Sequence, residues 1–401
     1  MKKIWHPIFA WLLTFSLLFG TAVPISASPI RSSLEIPSSG SALVGVEEGS
    51  FELGCKSAVL MEATTGTILY TQNAHEALPP ASVTKIMTLL LVMEAIDSGL
   101  IRTDSIVTVS ANAASMGGSQ VYLKEGEQMT VEDLLKSVVI ASANDAAVAL
   151  AEYVAGSVSS FVEKMNRRAA ALGMTDTVFE NVTGLDDTAE GHLTSAHDIA
   201  LMSQALISYP AILQYSSIWM DSIRNGEFGL TNTNRLVRFY PGCTGLKTGS
   251  TSKAGFCVSV TAQRENLSLI CVIMGAESRD SRNAIATRLL DWGFANFGLF
   301  EAKGEDLSPV SVEGGTLDSC PISYGSFCCV LPKSDLTSVR SNLVLPDRLT
   351  APVKQGESVG SVEYYLGDRL IGSVPLYACN DVSRIGFFEI FTRMLAKYLL
   401  I

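Results

Sequence analysis

The sequence predicts an α/β (α+β) fold in which helices cover a mainly antiparallel sheet, followed by a small all-β domain and a terminal helix. Strand-like runs with turn residues between them occur near the start and again after residue 255, and the intervening chain has apolar residues at helical spacing. Beyond about Leu299, short β-type runs alternate with Gly, Pro and Asp. Strands on both sides of a helical block predict one sheet assembled from distant parts of the sequence.

The first elements are a hairpin and a series of helices. Residues 57–62 and 66–70 are β-rich and flank a turn at Thr64-Thr65-Gly66. The helical pattern begins at Val83, and Gly99 ends its first segment. The predicted helices are 83–96, 131–139, 145–154, 161–172 and 196–206.

The second half returns to strands. Residues 256–262 and 267–274 predict a hairpin that turns at Arg264-Glu265-Asn266, and a helix over 283–294 follows. The predicted strands of the last domain are 308–312, 326–330, 343–345, 358–365 and 369–374.

Composition favours a folded protein that does not bind nucleic acid. A chain of 401 residues exceeds the usual size of one core, so two domains are expected. The sequence is 47% apolar and 17% charged, which is typical of packed globular proteins. Its net charge of −11, with no basic patch, argues against a nucleic-acid partner.

The N-terminus has the pattern of a signal peptide. Lys2 and Lys3 precede an apolar run over 8–22, and the small residues Ser26-Ala27-Ser28 follow. The pattern predicts export, with a signal peptide over 1–27 and a flexible spacer over 28–53. A buried first helix or a membrane anchor is the alternative.

The cysteines and histidines point to no metal or redox centre. None of the eight cysteines has C-x-x-C spacing, and most are expected to be buried thiols. Cys257 and Cys271 lie at similar distances from the predicted turn, which leaves a cross-strand disulfide open. The four histidines lack metal-ligand spacing, which argues against a zinc peptidase and predicts no cofactor.

Three short motifs in a fixed order suggest a single acyl-transfer site. They are Ser82-Val-Thr-Lys85, Ser142-Ala-Asn144 and Lys247-Thr248-Gly249. Ser82 and Lys85 are three residues apart at a helix start, so their side chains share a face. A lysine takes the proton of a serine only when its neutral form is favoured, which burial and a second cation such as Lys247 achieve.

Each motif also has a purely structural interpretation. The first pattern occurs by chance on surface helices, the second is good helix-capping chemistry, and the third is typical of a turn. Against the last, Gly249 permits close approach of a substrate beside an edge strand, and Lys247 and Thr248 offer a cation and a hydroxyl to a carboxylate. The three structural interpretations are independent, so their joint occurrence favours the site.

With these motifs the chain resembles low-molecular-mass penicillin-binding proteins of the D-alanyl-D-alanine carboxypeptidase family. The similar segments are 79–88, 181–185 with His192 and Asp198, 245–255 and 289–294. The resemblance implies a serine β-lactamase/transpeptidase-like domain over 54–298 and a small β-sandwich over 299–380.

The resemblance also implies a role for each site residue. Ser82 is expected to be the acylated nucleophile and Lys85 its base, with Lys247 assisting proton transfer. Ser142 and Asn144 are expected to form the second wall of the active site, and the backbone N–H groups of Ser82 and Ser250 to form the oxyanion hole. Thr248 and Gly249 are expected to lie beside the substrate, and Arg282 to bind its terminal carboxylate. The sequence departs from some relatives at Thr233, where they carry another carboxylate-binding arginine, although Arg235 is close by.

The implied reaction removes the terminal D-alanine of peptidoglycan stem pentapeptides through an acyl-enzyme, with β-lactams acylating the same serine. A D,D-endopeptidase uses the same residues and stays an alternative. A class A β-lactamase needs a further glutamate, and neither Glu180 nor Glu190 lies in a recognisable version of its loop. A non-catalytic cell-wall binding module has no reason to retain Ser82, Lys85 and Lys247.

The last segment, 381–401, is predicted to be an amphipathic helix that binds the membrane surface. Glu389, Arg393 and Lys397 recur every four residues and form a narrow polar stripe along an otherwise apolar helix. Charges in the middle of the segment disfavour a spanning helix and favour one lying in the interface. The enzyme is therefore expected at the outer face of the cytoplasmic membrane, in the cell-wall space. Packing of this helix on the β-domain is the alternative.

Overall fold

The structure is a computed structural model that describes residues 47–48, 53–185 and 189–398. The predicted signal peptide lies outside the described residues. The helices are α1 Lys85–Asp97, α2 Ala111–Ala114, α3 Val131–Ile140, α4 Asn144–Ala155, α5 Val158–Ala171, α6 Ala196–Ile207, α7 Ala211–Ser216, α8 Leu236–Phe239, α9 Arg279–Asn296 and α10 Phe387–Tyr398, with 3₁₀ turns at Ala81–Thr84 and Lys333–Ser338.

The strands fall into two larger sheets and three two-stranded ones. They are β1 Glu47–Glu48, β2 Ser57–Glu62, β3 Ile68–Gln72, β4 Ile106–Thr108, β5 Gln128–Thr130, β6 Met220–Ile223, β7 Phe228–Thr231, β8 Cys243–Thr251, β9 Gly255–Arg264, β10 Leu267–Ala276, β11 Phe297–Ala302, β12 Asp306–Glu313, β13 Ser319–Tyr324, β14 Phe327–Pro332, β15 Val339–Val344, β16 Leu349–Thr350, β17 Ser358–Leu366 and β18 Arg369–Ala378.

The first large sheet has the order β1-β3-β2-β10-β9-β8 and is antiparallel except for the β1–β3 pair. Alternate residues of β2 serve two cores: Val59 and Met61 pack with the helical block, whereas Ala58 and Leu60 pack with α9. The sheet therefore lies between two helical layers, and β8 is an edge strand. The predicted α/β class and its sheet of distant strands are confirmed.

Helix starts follow local capping chemistry. The side chains of Thr130, Ser195 and Ser278 accept backbone N–H bonds three residues ahead, at the starts of α3, α6 and α9. The Ser278 cap explains why α9 begins at Arg279, earlier than the apolar periodicity predicts. The predicted helix over 83–96 begins instead as a 3₁₀ turn and becomes α-helical at Lys85.

The chain beyond α9 is β-rich, as predicted. Its larger sheet has the order β15-β17-β18-β13-β12-β16, and β11 pairs with β14. The strands β11 and β13 were not expected from sequence. The predicted boundary at residue 299 falls inside β11, and Phe297 and Leu299 pack in the same core as α9.

One expectation needs correction, and the cross-strand disulfide that the sequence left open does not form. Glu47 and Glu48, inside the predicted spacer, pair with Tyr70 and Thr71, so ordered backbone begins before residue 54. Cys257 and Cys271 are both free thiols, because the register places Cys271 opposite Val260 rather than opposite Cys257.

The final helix α10 turns its apolar side chains outward. Phe387 and Phe388 are 77% and 83% exposed, and Tyr398 is 91% exposed. On its polar side the Arg393 guanidinium lies 2.9 Å from Asp318 and also donates to the Thr316 carbonyl. No helix in the described part of the chain is long and apolar enough to cross a membrane.

Candidate active site

The segment around Ser82 is held in an unusual backbone conformation. Ala81 has φ +48°, in the left-handed region, and the 3₁₀ turn that it opens presents the half-buried Ser82. Gly184 packs so closely that a Cβ there would lie 1.8 Å from the Ala81 carbonyl oxygen. Thr84 Oγ1 donates to the same carbonyl at 2.9 Å, which fixes the turn from its inner side.

Lys85 is fully buried and contacts Ser82. Its Nζ lies 2.9 Å from Ser82 Oγ and donates to the carbonyl of Thr183 at 2.9 Å. Burial lowers the pKa of Lys85 well below its usual value, and the charge of Lys247 lowers it further, while Asp145 acts in the opposite direction. The neutral amine, which is the form able to accept a proton, is thereby favoured.

Ser142 and Lys247 form a second buried pair. Lys247 Nζ lies 2.8 Å from Ser142 Oγ and donates to the carbonyl of Thr248 at 2.8 Å. Burial, helped by the positive charge of Arg282, lowers the pKa of Lys247 to about 7. Ser142 has φ +62°, and this left-handed turn between α3 and α4 directs its side chain to the lysine.

Asn144 is the third side chain of this wall. Its Nδ2 donates to the Gly117 carbonyl at 2.7 Å, whereas its buried Oδ1 has no hydrogen-bond partner. The residue before α4 is Ala143, and no side chain caps the helix. The capping interpretation of this motif is therefore wrong, and Asn144 Oδ1 is left available to a ligand donor.

The free edge of β8 passes beside Ser82. A Cβ on Gly249 would lie 2.7 Å from the Ser82 nitrogen and 2.9 Å from the Pro80 oxygen, so only glycine permits this approach. Glycine at this position is therefore required for the close packing of β8 against the backbone around Ser82, and not only for the approach of a substrate. Thr248 Oγ1 donates to Thr233 Oγ1 at 2.8 Å, and Ser250 is exposed at the strand's open side.

Arg282 lies in α9 and is only 2% exposed. Its Nη1 donates to the Cys257 carbonyl at 3.3 Å, and its Nε and Nη2 donate to Asn283 Oδ1. Burial and the nearby charge of Arg279 lower the pKa of Arg282 to about 10. The structure thus places Arg282 near Lys247 electrostatically but directs these three donors to protein acceptors.

Several residues contribute to the site although the sequence assigned them no catalytic or binding role. The Thr183 carbonyl holds Lys85, and the buried Asp145 accepts the backbone N–H groups of Val121 and Leu123. His192 Nδ1 accepts from the Glu180 N–H, so His192 Nε2–H donates to Thr84 Oγ1 at 2.7 Å. The segment 181–185 and His192 belong to the resemblance, which was the available signal for them.

The surroundings bear on other chemistries. Glu180 and Glu190 are both exposed, outside the buried lysine–serine cluster. Within the described ranges, no three His, Cys, Asp or Glu side chains are arranged to hold a metal ion. The contacts of Lys85 with Ser82 and of Lys247 with Ser142 are an arrangement that suits nucleophilic chemistry with lysine-assisted proton transfer.

Residues 45–278 match the family profile described as D-alanyl-D-alanine carboxypeptidase, more than half of the chain. The chain belongs to this carboxypeptidase family. Residues 299–384 match the profile described as the penicillin-binding protein 5 C-terminal domain. The chain is therefore a serine-type D-alanyl-D-alanine carboxypeptidase of the penicillin-binding protein 5 type.

Individual relatives span nearly the whole molecule. The D-alanyl-D-alanine carboxypeptidase DacF of Bacillus subtilis is 39% identical over 350 residues, covering 86% of this chain and 90% of the relative. The crystal structure of penicillin-binding protein 5 from Haemophilus influenzae superposes with TM-score 0.74 at 32% identity, covering 83% of this chain and 99% of that one. A D-alanyl-D-alanine endopeptidase of Pseudomonas aeruginosa is 30% identical over 286 residues, covering 70% of this chain and 86% of the relative.

Proposed function

We propose that this carboxypeptidase releases the terminal D-alanine through an acyl-enzyme on Ser82, with Lys85 as its general base. The observation that carries the proposal is the 2.9 Å contact between Ser82 Oγ and the fully buried Nζ of Lys85. Ser82 Oγ attacks the carbonyl carbon between the two D-alanines while its proton passes to Lys85. The C–N bond then breaks, and water later cleaves the ester and frees the shortened peptide.

Lys247 and Ser142 are proposed to supply the proton to the departing amine. With a pKa of about 7, Lys247 exchanges protons readily near neutrality. Its 2.8 Å contact with Ser142 Oγ provides a hydroxyl relay toward the substrate.

The free edge of β8 is proposed to bind the peptide and the developing oxyanion. Backbone N–H groups of Ser82 and Ser250 flank the point where Gly249 approaches the nucleophile, an arrangement suited to an oxyanion hole. The unpartnered Asn144 Oδ1 is suited to accept an N–H of the acyl part, and Thr248 is proposed to contact the terminal carboxylate.

Arg282 is proposed to support carboxylate binding. The charge of Arg282 contributes to the lowered pKa of Lys247, so Arg282 adds positive potential to the site. Its guanidinium is held by the Cys257 carbonyl of β9. A direct pair between Arg282 and the substrate carboxylate stays a prediction.

The C-terminal helix is proposed to hold the exported enzyme at the outer face of the cytoplasmic membrane, in the interface between lipid and water. Stem peptides are accessible there. Support comes from the outward apolar side chains of α10 and from the Arg393–Asp318 pair that docks its polar side on the β-domain. We propose a catalytic domain over 54–298, to which β1 adds a short strand from the preceding spacer, a β-domain over 299–380, and an anchoring segment over 381–401 whose membrane-binding part is α10.

Two assays test the mechanism. One measures release of D-alanine from a synthetic acyl-D-Ala-D-Ala peptide, and the other measures covalent labelling by penicillin. Wild-type protein should release D-alanine and bind labelled penicillin covalently, one per molecule. Ser82→Ala should abolish both and keep its circular dichroism spectrum. Labelling that persisted in Ser82→Ala would contradict the choice of nucleophile.

A further inference from the structure

A cleft of about 560 Å³ lies beside the predicted active site and takes no part in the mechanism above. Its lining includes two arginines, Arg235 and Arg279, and two aromatic side chains, Trp219 and Phe239. The volume is within the range of about 300–1,000 Å³ that is typical of pockets enclosing a small ligand. It greatly exceeds the space that the methyl group of one alanine requires.

The cleft is joined to the catalytic strand by a hydrogen bond. Thr233 is part of the lining, and its Oγ1 accepts from Thr248 Oγ1 at 2.8 Å. The next residue along the strand, Gly249, is the one that approaches the Ser82 nitrogen. A peptide bound along β8 with its terminal residue at Thr248 therefore has that residue next to Thr233, which lines the cleft.

The charge of the cleft fits an anion. Arg235 and Arg279 are exposed, and among the described residues neither guanidinium has a carboxylate within ion-pair distance. In a chain of net charge −11, two arginines that line one cleft provide a local attraction for a carboxylate. Arg282 differs, since three of its donors already bond Cys257 and Asn283.

Part of the lining is aromatic. The Trp219 and Phe239 rings meet edge to face at 6.3 Å, and the Arg238 guanidinium lies over both rings at about 5.5 Å. Trp219 Nε1 is buried and has no hydrogen-bond partner, and Phe239 is 68% exposed. Phe239, the exposed aromatic side chain of this lining, offers apolar surface to a side chain larger than methyl.

We propose that this cleft is the subsite of the leaving residue, in which Arg235 and Arg279 hold the carboxylate and the Trp219–Phe239 wall accepts large D-amino-acid side chains. The inference rests on the proposed function, because it uses the same acyl-enzyme and changes only the amino acid released. The enzyme then removes bulky D-residues, aromatic ones included, from the ends of stem peptides as well as D-alanine.

The first test compares acyl-D-Ala-D-X peptides in which X is D-Ala, D-Leu or D-Phe. We expect kcat/KM for the D-Phe peptide to lie within about tenfold of that for D-Ala. Phe239→Ala should lower kcat/KM for the D-Phe peptide by about tenfold more than for the D-Ala peptide. The reason is that the ring of the substrate's D-Phe would lose its aromatic contact with Phe239. Rejection of D-Phe by an enzyme that hydrolyses D-Ala-D-Ala would overturn the proposal and leave the proposed function intact.

The second test compares each acid-terminated peptide with its amide. The double variant Arg235→Gln/Arg279→Gln should lose about ten- to a hundredfold in kcat/KM on the acid and far less on the amide. Arg340→Gln, an exposed arginine of β15, is the matched control for removal of positive charge. A loss of acid preference in Arg282→Gln with none in the double variant would assign the carboxylate to Arg282 and overturn the proposal. Absence of hydrolysis on every peptide would instead contradict the proposed function itself.

Discussion

At the scale of single residues, the site contains two buried lysines, and the charge of Lys247 helps to lower the pKa of Lys85. Lys85 and Lys247 are both shielded from solvent, and each is hydrogen-bonded to one serine hydroxyl. Burial makes protonation of either lysine costly, and protonation of Lys247 disfavours protonation of Lys85. The protonation state of Lys247 therefore affects the fraction of Lys85 that is neutral and able to act as a base.

This coupling predicts a pH effect of Lys247→Gln. In the proposed mechanism acylation needs neutral Lys85, so its rate should be retained above the pKa of Lys85 and lost as the pH falls through it. Removing the Lys247 charge raises that pKa, so the acidic limb of penicillin acylation should move to higher pH. The measurement is the second-order rate of penicillin labelling across the acid and neutral range.

The control for this experiment is Lys333→Gln, which removes an exposed lysine from the β-domain. Its pH profile should match that of the wild type. An acidic limb that stayed in place in Lys247→Gln, with only a lower plateau, would show that Lys247 does not tune Lys85.

At the scale of elements, the approach of β8 to the Ser82 turn is decided by one missing side chain. Any Cβ at position 249 would meet three backbone atoms of residues 80–83 within 2.9 Å, and backbone cannot move aside as a flexible side chain can. The edge strand and the nucleophile therefore share a geometry that depends on glycine.

Gly249→Ala should lower penicillin acylation by at least about a hundredfold, because a shift of about 1 Å in reacting groups costs this much. The protein should remain folded, since the position is at the edge of the sheet. Gly229→Ala in β7, where a Cβ meets nothing within 4 Å, is the matched control and should acylate normally. Normal acylation by Gly249→Ala would mean that the strand can retreat without affecting the site.

At the scale of the whole molecule, α10 is attached to a β-domain that the preceding residues complete. Val382 is fully buried in the domain core and pairs with Val353, and the Ile385 N–H bonds the Gly314 carbonyl. The predicted anchoring segment, 381–401, thus includes residues that the β-domain needs. A clean test of anchoring has to leave these in place.

Deletion of residues 387–401 should release the enzyme from membranes and leave its activity on soluble peptide unchanged. The reason is that the deletion removes the exposed apolar surface of α10 and leaves Val382 in the core. Fractionation of membranes and a peptide assay measure the two outcomes.

Deletion of residues 381–401 is the companion variant and should additionally lower the unfolding temperature of the β-domain. The cost of removing a fully buried apolar side chain is about 1.5–3 kcal/mol. Persistent membrane binding of the 387–401 deletion would contradict the anchoring role of α10.

Local patterns located α1, α3, α4, α5, α6 and the β9–β10 hairpin to within a few residues, but they did not locate α2, α7, α8 or the short strands β4 to β7. Apolar periodicity located α3, α4 and α6, and turn residues located the hairpin between Arg264 and Leu267. The sequence patterns did not predict β11 and β13, because the strand character of such short segments depends on the strands beside them in the sheet.

The sequence alone determined the motifs, their order and hence the family. Only the tertiary structure decided which groups lie together: the Thr183 carbonyl on Lys85, the approach of Gly249 to Ser82, and the buried position of Arg282. These contacts join segments about 100 or more residues apart, and no local pattern encodes such a distance. The lysine pKa values follow from the same cause, since burial and the neighbouring charge exist only once the sheet and helices have closed around the site.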